Sequence, residues 1–517
     1  DCEIIAHAWT RDAMTEHRTA IEAGALEERF AGRLGASPIA LAADRLRVDL
    51  AGFDAARLAV RLGPNRLAIA GLDGRFGARG AAGGFAGLSG DLANVPLLVS
   101  EGRGRWRFDG SALVLDGRLA VADRQAPVRF HPLASEDFRL SLIDNRIRAT
   151  GALTHPQSGT RVMTAAIDHD LRSGAGHAVL DVDRLRFAPR GLQPDTLTPL
   201  TVGVVALVDG AVSGRGRIEW DARGTRSTGA FTTADMKLAA PFGPVDGLAT
   251  TIEFTDLLGL ASAPGQEARV RLIQAGIDVY DGVVRYQIQP NYQVAIESAR
   301  WPLAGGTLTL APTVLDFAHE STKYLTFRVA GLDAARFIQL MEFSNIDATG
   351  TYDGTIPMQF TQAGGRIVNG RLVARPEGGT LSYIGELSDR DLGAYGVLAF
   401  DALKSMRYSR LEITLDGALD GEFLTRINMD GLARNPGGTR DPSGGVRAML
   451  VGRVLHQLAR VPFHFNIRIQ GRFRALVATA RSFSDPSDLI RASLPQLLGS
   501  ETPADSPVQN QESEPVR

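Results

Sequence analysis

The chain has 517 residues, 44% hydrophobic and 22% charged, a globular composition that excludes general disorder. Its net charge of -2, from 56 basic and 58 acidic groups, excludes the electrostatic footprint of a nucleic-acid binder. Mean hydropathy is -0.04, and no apolar run approaches the ~20 residues of a membrane helix, so the chain as given does not span a bilayer with helices.

The sequence opens at Asp1 without an initiator Met, so it reads as a mature or truncated chain whose targeting peptide or membrane anchor lies outside it. Cys2 is the single cysteine, which rules out an internal disulfide framework. Second in the chain behind Asp1, it reads as a free thiol and not as a lipid attachment site. Three lysines, Lys237, Lys323 and Lys404, stand against an excess of arginine that reads mainly as the coding bias of a GC-rich bacterial genome.

Residues 14–34 place Met14, Ile21, Ala25, Leu26, Phe30 and Leu34 at helical spacing and predict a helix. Beyond them period two dominates. Leu46, Val48 and Leu50 alternate with Arg45, Arg47 and Asp49. Tyr286, Ile288, Tyr292, Val294 and Ile296 share one parity; Leu411, Ile413 and Leu415 share another, as do Phe463, Phe465, Ile467 and Ile469. In a strand such a set makes one apolar face and one wet face, the signature of antiparallel sheets. Asp-Gly recurs at Asp73-Gly74, Asp109-Gly110, Asp116-Gly117, Asp209-Gly210, Asp281-Gly282, Asp353-Gly354 and Asp416-Gly417, with Asn369-Gly370 as a variant, and predicts hairpin turns.

Two echoes hint at internal repetition. Ala51–Leu58 recurs as 330–337, and Gly305-Gly306-Thr307-Leu308 as Gly378-Gly379-Thr380-Leu381. A second amphipathic helix is predicted over 446–460, stopped by Pro462, and a third from Asp485-Pro486 through Leu497. From 500 to 517 the Pro, Ser, Gln and Glu content predicts a disordered tail.

The chemistry of enzymes is thin. There is no Walker loop, HExxH or G-x-S-x-G motif, and a zinc ribbon is impossible with one cysteine. Asp168-His169-Asp170 with His177 is the nearest thing to a metal cluster, but alternation sends neighbouring side chains to opposite faces. A Ser-His-Asp triad stays open, because its members lie far apart in any sequence. The reading is no enzyme, no cofactor and no metal.

An apolar sheet face needs a cover. A second sheet would give sandwich modules of about 100 residues with linkers between them, and no such linkers occur. The alternative is one long antiparallel sheet, curled like a taco or gutter around an apolar groove, with a few short helices. At roughly 16–20 residues per strand and turn the chain supplies about 25–30 strands and a groove on the order of 120–140 Å. Such a groove suits acyl chains, whose burial is worth about 0.8 kcal/mol per CH₂.

The carboxy-terminal third resembles a known family. Gly364-Gly365-Arg366-Ile367-Val368-Asn369-Gly370 leads to Pro376-Glu377-Gly378-Gly379-Thr380-Leu381-Ser382-Tyr383, then to Tyr408-Ser409-Arg410-Leu411, and closes with Gly431-Leu432-Ala433-Arg434-Asn435-Pro436. These elements, in this order, resemble AsmA-like bacterial proteins of the YdbH type over about 130 residues; residues 1–300 match only in style. The motif positions are Gly378, Gly379, Tyr383, Tyr408, Asn435 and Pro436. The resemblance implies β-groove repeats over 1–350, a YdbH-type domain over 351–499 and the tail over 500–517. It implies a periplasmic bridge, anchored in the inner membrane by a segment missing here, carrying phospholipid toward the outer membrane. It also implies an outer-membrane lipoprotein partner that joins by strand addition at the carboxy-terminal end. Competing readings are a scaffold for outer-membrane protein assembly or secretion, an accessory protein for dicarboxylate uptake, and a polysaccharide-acting enzyme on a β-helix.

Overall fold

The computed structural model describes residues 2–6, 14–22, 25–34, 37–48, 51–62, 65–78, 80–92, 96–240, 242–275, 277–319, 321–341, 346–361, 364–383, 406–419, 421–433 and 462–472. Two compact units emerge, one of Asp1–Ala330 with Thr355–Val368, the other of Gly331–Gly354 with Asn369–Arg517.

Nearly everything described is strand, because period two runs through it. The first four are β1 (Cys2–Ala6), β2 (Met14–Glu22), β3 (Ala25–Leu34) and β4 (Ser37–Val48). Next come β5 (Gly52–Leu62), β6 (Asn65–Gly77), β7 (Gly80–Leu92), β8 (Leu97–Phe108) and β9 (Ala112–Asp123). The middle holds β10 (Leu133–Ile143), β11 (Arg146–Thr154), β12 (Arg161–Asp170), β13 (Gly176–Phe187), β14 (Ala206–Asp221), β15 (Gly224–Ala240) and β16 (Gly243–Asp256). Then follow β17 (Ala261–Ser262), β18 (Gln266–Gln274), β19 (Asp278–Gln289), β20 (Gln293–Leu303), β21 (Gly306–Leu310), β22 (Thr313–Asp316) and β23 (Lys323–Asp333). After α1 (Ala334–Leu340) the strands are β24 (Ile346–Ala348), β25 (Thr351–Thr361), β26 (Gly364–Ala374), β27 (Gly379–Tyr383), β28 (Met406–Ala418), β29 (Glu422–Ala433) and β30 (Pro462–Arg472).

In the first unit each strand from β1 to β16 pairs antiparallel with the next, and the sheet is not closed into a barrel. The ladder continues through β18, β19 and β20 to β21 and β22. In the second unit β24, β27, β28, β29 and β30 pair antiparallel in that order. The mainly β, antiparallel reading therefore holds, and parallel β-helix coils are excluded for these strands.

Three sequence expectations are corrected. Residues 14–34 form β2 and β3, joined by antiparallel pairing, because strand partners on both sides outweigh a modest helical spacing. Of the Asp-Gly and Asn-Gly pairs named above only Asp109-Gly110 lies between strands; the others named lie inside strands. The tight turns instead use Asp144-Asn145 (φ 50° and 63°), Asn291-Tyr292 (62° and 58°) and Ala304-Gly305 (44° and 82°), the left-handed pairs a two-residue hairpin requires. The echo of Ala51–Leu58 adopts two structures: the first copy is strand, while in the second Asp333 caps α1 by accepting the Arg336 N–H at 2.9 Å. The shorter echo does hold, since Gly306 and Gly379 each open a five-residue strand behind a positive-φ glycine. The helices expected over 446–460 and 485–497, and the tail from 500, lie outside the described residues.

The sheet of the first unit curls. Arg129, between β9 and β10, donates from Nη1 to the Leu258 carbonyl just after β16 at 2.6 Å. Strands β10 to β15 lie between these two points, a separation of roughly 30 Å in a flat sheet at ~4.8 Å per strand.

Candidate functional site

Register defines one apolar face across the first unit. A single transverse row runs Met236, Leu248, Val270, Gly282, Trp301, Leu308 and Val329, on β15, β16, β18, β19, β20, β21 and β23. The opposite face carries charge, as in the row Arg105, Asp116, Arg139. Because side chains alternate, no mixing of the two sets is possible without a bulge.

The expected groove positions fall on this face with one exception. Tyr286 pairs with Ile296 and Ile288 with Val294, so all four share the apolar side of β19 and β20. Tyr286 is buried and its hydroxyl meets the Thr250 hydroxyl at 3.0 Å; burial pushes the phenol above its usual pKa and keeps it neutral. Tyr292 is the exception. It sits in the hairpin turn, where a left-handed residue was needed, and so belongs to neither face.

In the second unit Leu411, Ile413 and Leu415 pair with Met429, Ile427 and Thr425 on β29. The same β29 positions stand opposite Phe465, Ile467 and Ile469 on β30, and Gly431 stands opposite Phe463. The two predicted sets are thus in register with each other through β29. The other side carries Arg410, Asp430 and His464 in a row, with His464 Nδ1 2.5 Å from the Asp430 carboxylate.

The motif residues build a latch. Tyr408, fully buried, donates its hydroxyl to the Thr349 carbonyl at 2.5 Å and meets the Tyr352 hydroxyl at 2.7 Å. Gly350 and Gly379 lie under this phenol so closely that a Cβ on either would overlap it. Burial raises both phenols above their usual pKa, with the mutual hydrogen bond adding to the rise at Tyr352. Tyr383 stands opposite Ile346 in register, whereas Asn435 and Pro436 lie outside the described residues.

Among the described residues no three His, Cys, Asp or Glu side chains converge as a metal site. Asp168 faces outward opposite His177 and accepts from Arg146 at 2.6 Å, which holds its carboxyl below the usual range. His169 points to the apolar face, where its Nδ1 accepts the Trp220 indole N–H at 3.0 Å and burial lowers its pKa.

Sequence reasoning missed what fills part of the apolar face. Residues 188–205 fold back with Leu192, Leu197 and Val205 against Leu133, Val162, Val182 and Met236. His131 N donates to the Leu197 carbonyl at 2.8 Å, and Thr198 Oγ1 donates to the Arg129 carbonyl at 2.5 Å. The Gln193 amide pairs with both backbone groups of Val208, as a strand would, at 2.8 Å each. Leu257 leans over Gly216, 2.6 Å from where a Cβ would stand, beside Leu180. Arg129 is buried in this assembly with a two-pronged hold on Asp123, at 2.9 and 2.7 Å. Burial would raise the Asp123 carboxyl, but Arg129 and the Gln125 amide outweigh it and hold it below the usual range. No local signal marks these loops, because their partners lie up to 129 residues away.

A family model described as YdbH-like, intermembrane phospholipid transport protein YdbH, matches residues 8–495. No curated protein and no solved structure matches the chain.

Proposed function

This chain belongs to the YdbH-like family of intermembrane phospholipid transport proteins, and from that premise we propose that it carries phospholipid along its apolar sheet face as a bridge between two membranes. The observation that supports this most is the register itself, which keeps Met236, Leu248, Val270, Trp301, Leu308 and Val329, with Gly282 between Val270 and Trp301, on one side of β15, β16, β18, β19, β20, β21 and β23. Acyl chains gain about 0.8 kcal/mol per CH₂ on such a surface without needing one deep pocket. The charged reverse face keeps the polypeptide soluble while the other side is loaded.

The reading puts the chain in the periplasm, tethered to the inner membrane in the full-length protein. Its carboxy-terminal strands would meet an outer-membrane lipoprotein by adding a strand, the usual use of an open sheet edge. Groove positions on this account are Tyr286, Ile288, Val294 and Ile296 in the first unit, with Leu411, Ile413 and Leu415 in the second. No catalytic step is required. Native mass spectrometry of the purified chain tests the proposal: bound phospholipid is expected, and a chain that releases only outer-membrane protein fragments would favour an assembly scaffold instead.

A further inference from the structure

We infer that residues 188–205, with the flanking loops 124–132 and 257–260, form a gate on the apolar face, closed without cargo and displaced by an acyl chain. This rests on the conduit reading above and specifies where transport is interrupted.

Four observations carry it. The segment between β13 and β14 has an unusual length for a hairpin, whose loops usually hold two to five residues. Its hold on the sheet is apolar, through Leu192, Leu197 and Val205, which is the chemistry an acyl chain would substitute. Its polar ties to the sheet are those of His131, Thr198 and Gln193, and among the described residues the curl is closed by the bond from Arg129 Nη1 to the Leu258 carbonyl. Opening that bond leaves no orphaned charge, because Asp123 keeps the guanidinium paired, and it releases a carbonyl that water can satisfy. Finally, the segment exposes apolar side chains at its rim. Val202 is 66% exposed, and Leu207, two residues past the segment at the start of β14, is 64% exposed. An arriving acyl chain meets apolar surface there.

The test uses the full chain with Cys2→Ser and a disulfide from His131→Cys and Leu197→Cys, whose backbones are already hydrogen-bonded. A photocrosslinker is placed at Leu180, beside the covering loop, or at Ile288, away from it. With the disulfide formed, phospholipid capture at Leu180 is expected to fall at least tenfold, with Ile288 unchanged and reductant restoring Leu180. Equal capture at Leu180 in both redox states overturns the gate. Capture at Ile288 with none at Leu180 in the reduced chain also overturns it, while leaving the conduit intact. Loss of capture at both positions in the reduced chain removes the conduit reading and the gate together. Should the double-cysteine chain misfold, hydrogen exchange on the unaltered protein decides the matter. Phosphatidylglycerol micelles are expected to speed exchange of the His131 and Val208 amides at least tenfold, and unchanged rates contradict the gate.

Discussion

The indole of Trp301 on β20 lies directly over Gly282 on β19, so near that a Cβ at Gly282 would overlap Nε1. The same relation recurs where Phe53 and Trp106 cover Gly74, each 2.6 Å from the position of a Cβ, and where Trp220 covers Gly176 at 2.7 Å. Glycines inside strands weaken a sheet, and a neighbouring ring restores the lost packing. Gly282→Ala is therefore expected to cost about 1–3 kcal/mol by overpacking. Trp301→Ala, which leaves the glycine bare, should cost about 3–5 kcal/mol. Urea unfolding of the two variants checks the order.

Removing one partner of the buried Asp123–Arg129 pair strands the other. Arg129→Met is expected to lose about 3–5 kcal/mol at neutral pH. The Asp123 carboxyl titrates below its ordinary value of 3.8, so its contribution is complete above that pH and is lost as pH falls through the lower folded-state value. Unfolding curves of the parent and Arg129→Met should converge in strong acid and stand apart at pH 7.

The Tyr408 latch predicts a crossing. Tyr408→Phe gives up the hydrogen bonds to Thr349 and Tyr352 and should cost about 1–3 kcal/mol near neutrality. Both phenols are held above the ordinary 10.0, so what they contribute persists below that pH and is lost as pH rises through the folded-state values. A chain with both tyrosines changed to Phe should be less stable at pH 7 yet lose less stability between pH 9 and 12, as followed by far-ultraviolet circular dichroism.

His169 gives a gentler acid limb. Its pKa lies below the usual 6.5 because burial disfavours the charged ring, so stability is intact above that value and declines as pH falls through the lower one. His169→Gln should flatten the pH dependence of the unfolding midpoint between pH 6 and 4. An unchanged slope would show that the ring is already solvated.

Parity was the legible part of this fold. Leu411, Ile413 and Leu415 on β28 and Phe463, Phe465, Ile467 and Ile469 on β30 are separated by about half a hundred residues, yet both sets meet β29 on one side. Period two needs no long-range knowledge to be read. Turn chemistry was less legible, because Asp-Gly also serves where a glycine admits a ring or a close carbonyl, as at Gly74 and Gly117. Tyr292 followed the parity of its neighbours but was consumed by the Asn291-Tyr292 turn. The loop over the apolar face was not legible at all. Leu192 and Leu197 look like any apolar pair in a Pro-rich connection, and Asp123 and Arg129 look like a surface pair. Only the curl of the sheet brings Leu258 to Arg129.

The central claim is that one parity of each strand touches phospholipid and the other does not. Photocrosslinking in cells tests it most directly, with the probe at Ile288 or Ile413 on the apolar side and at Gln287 on the other side. The account predicts phospholipid adducts at Ile288 and Ile413 at least tenfold above those at Gln287. Adducts confined to Gln287, or equal at all three, would contradict it.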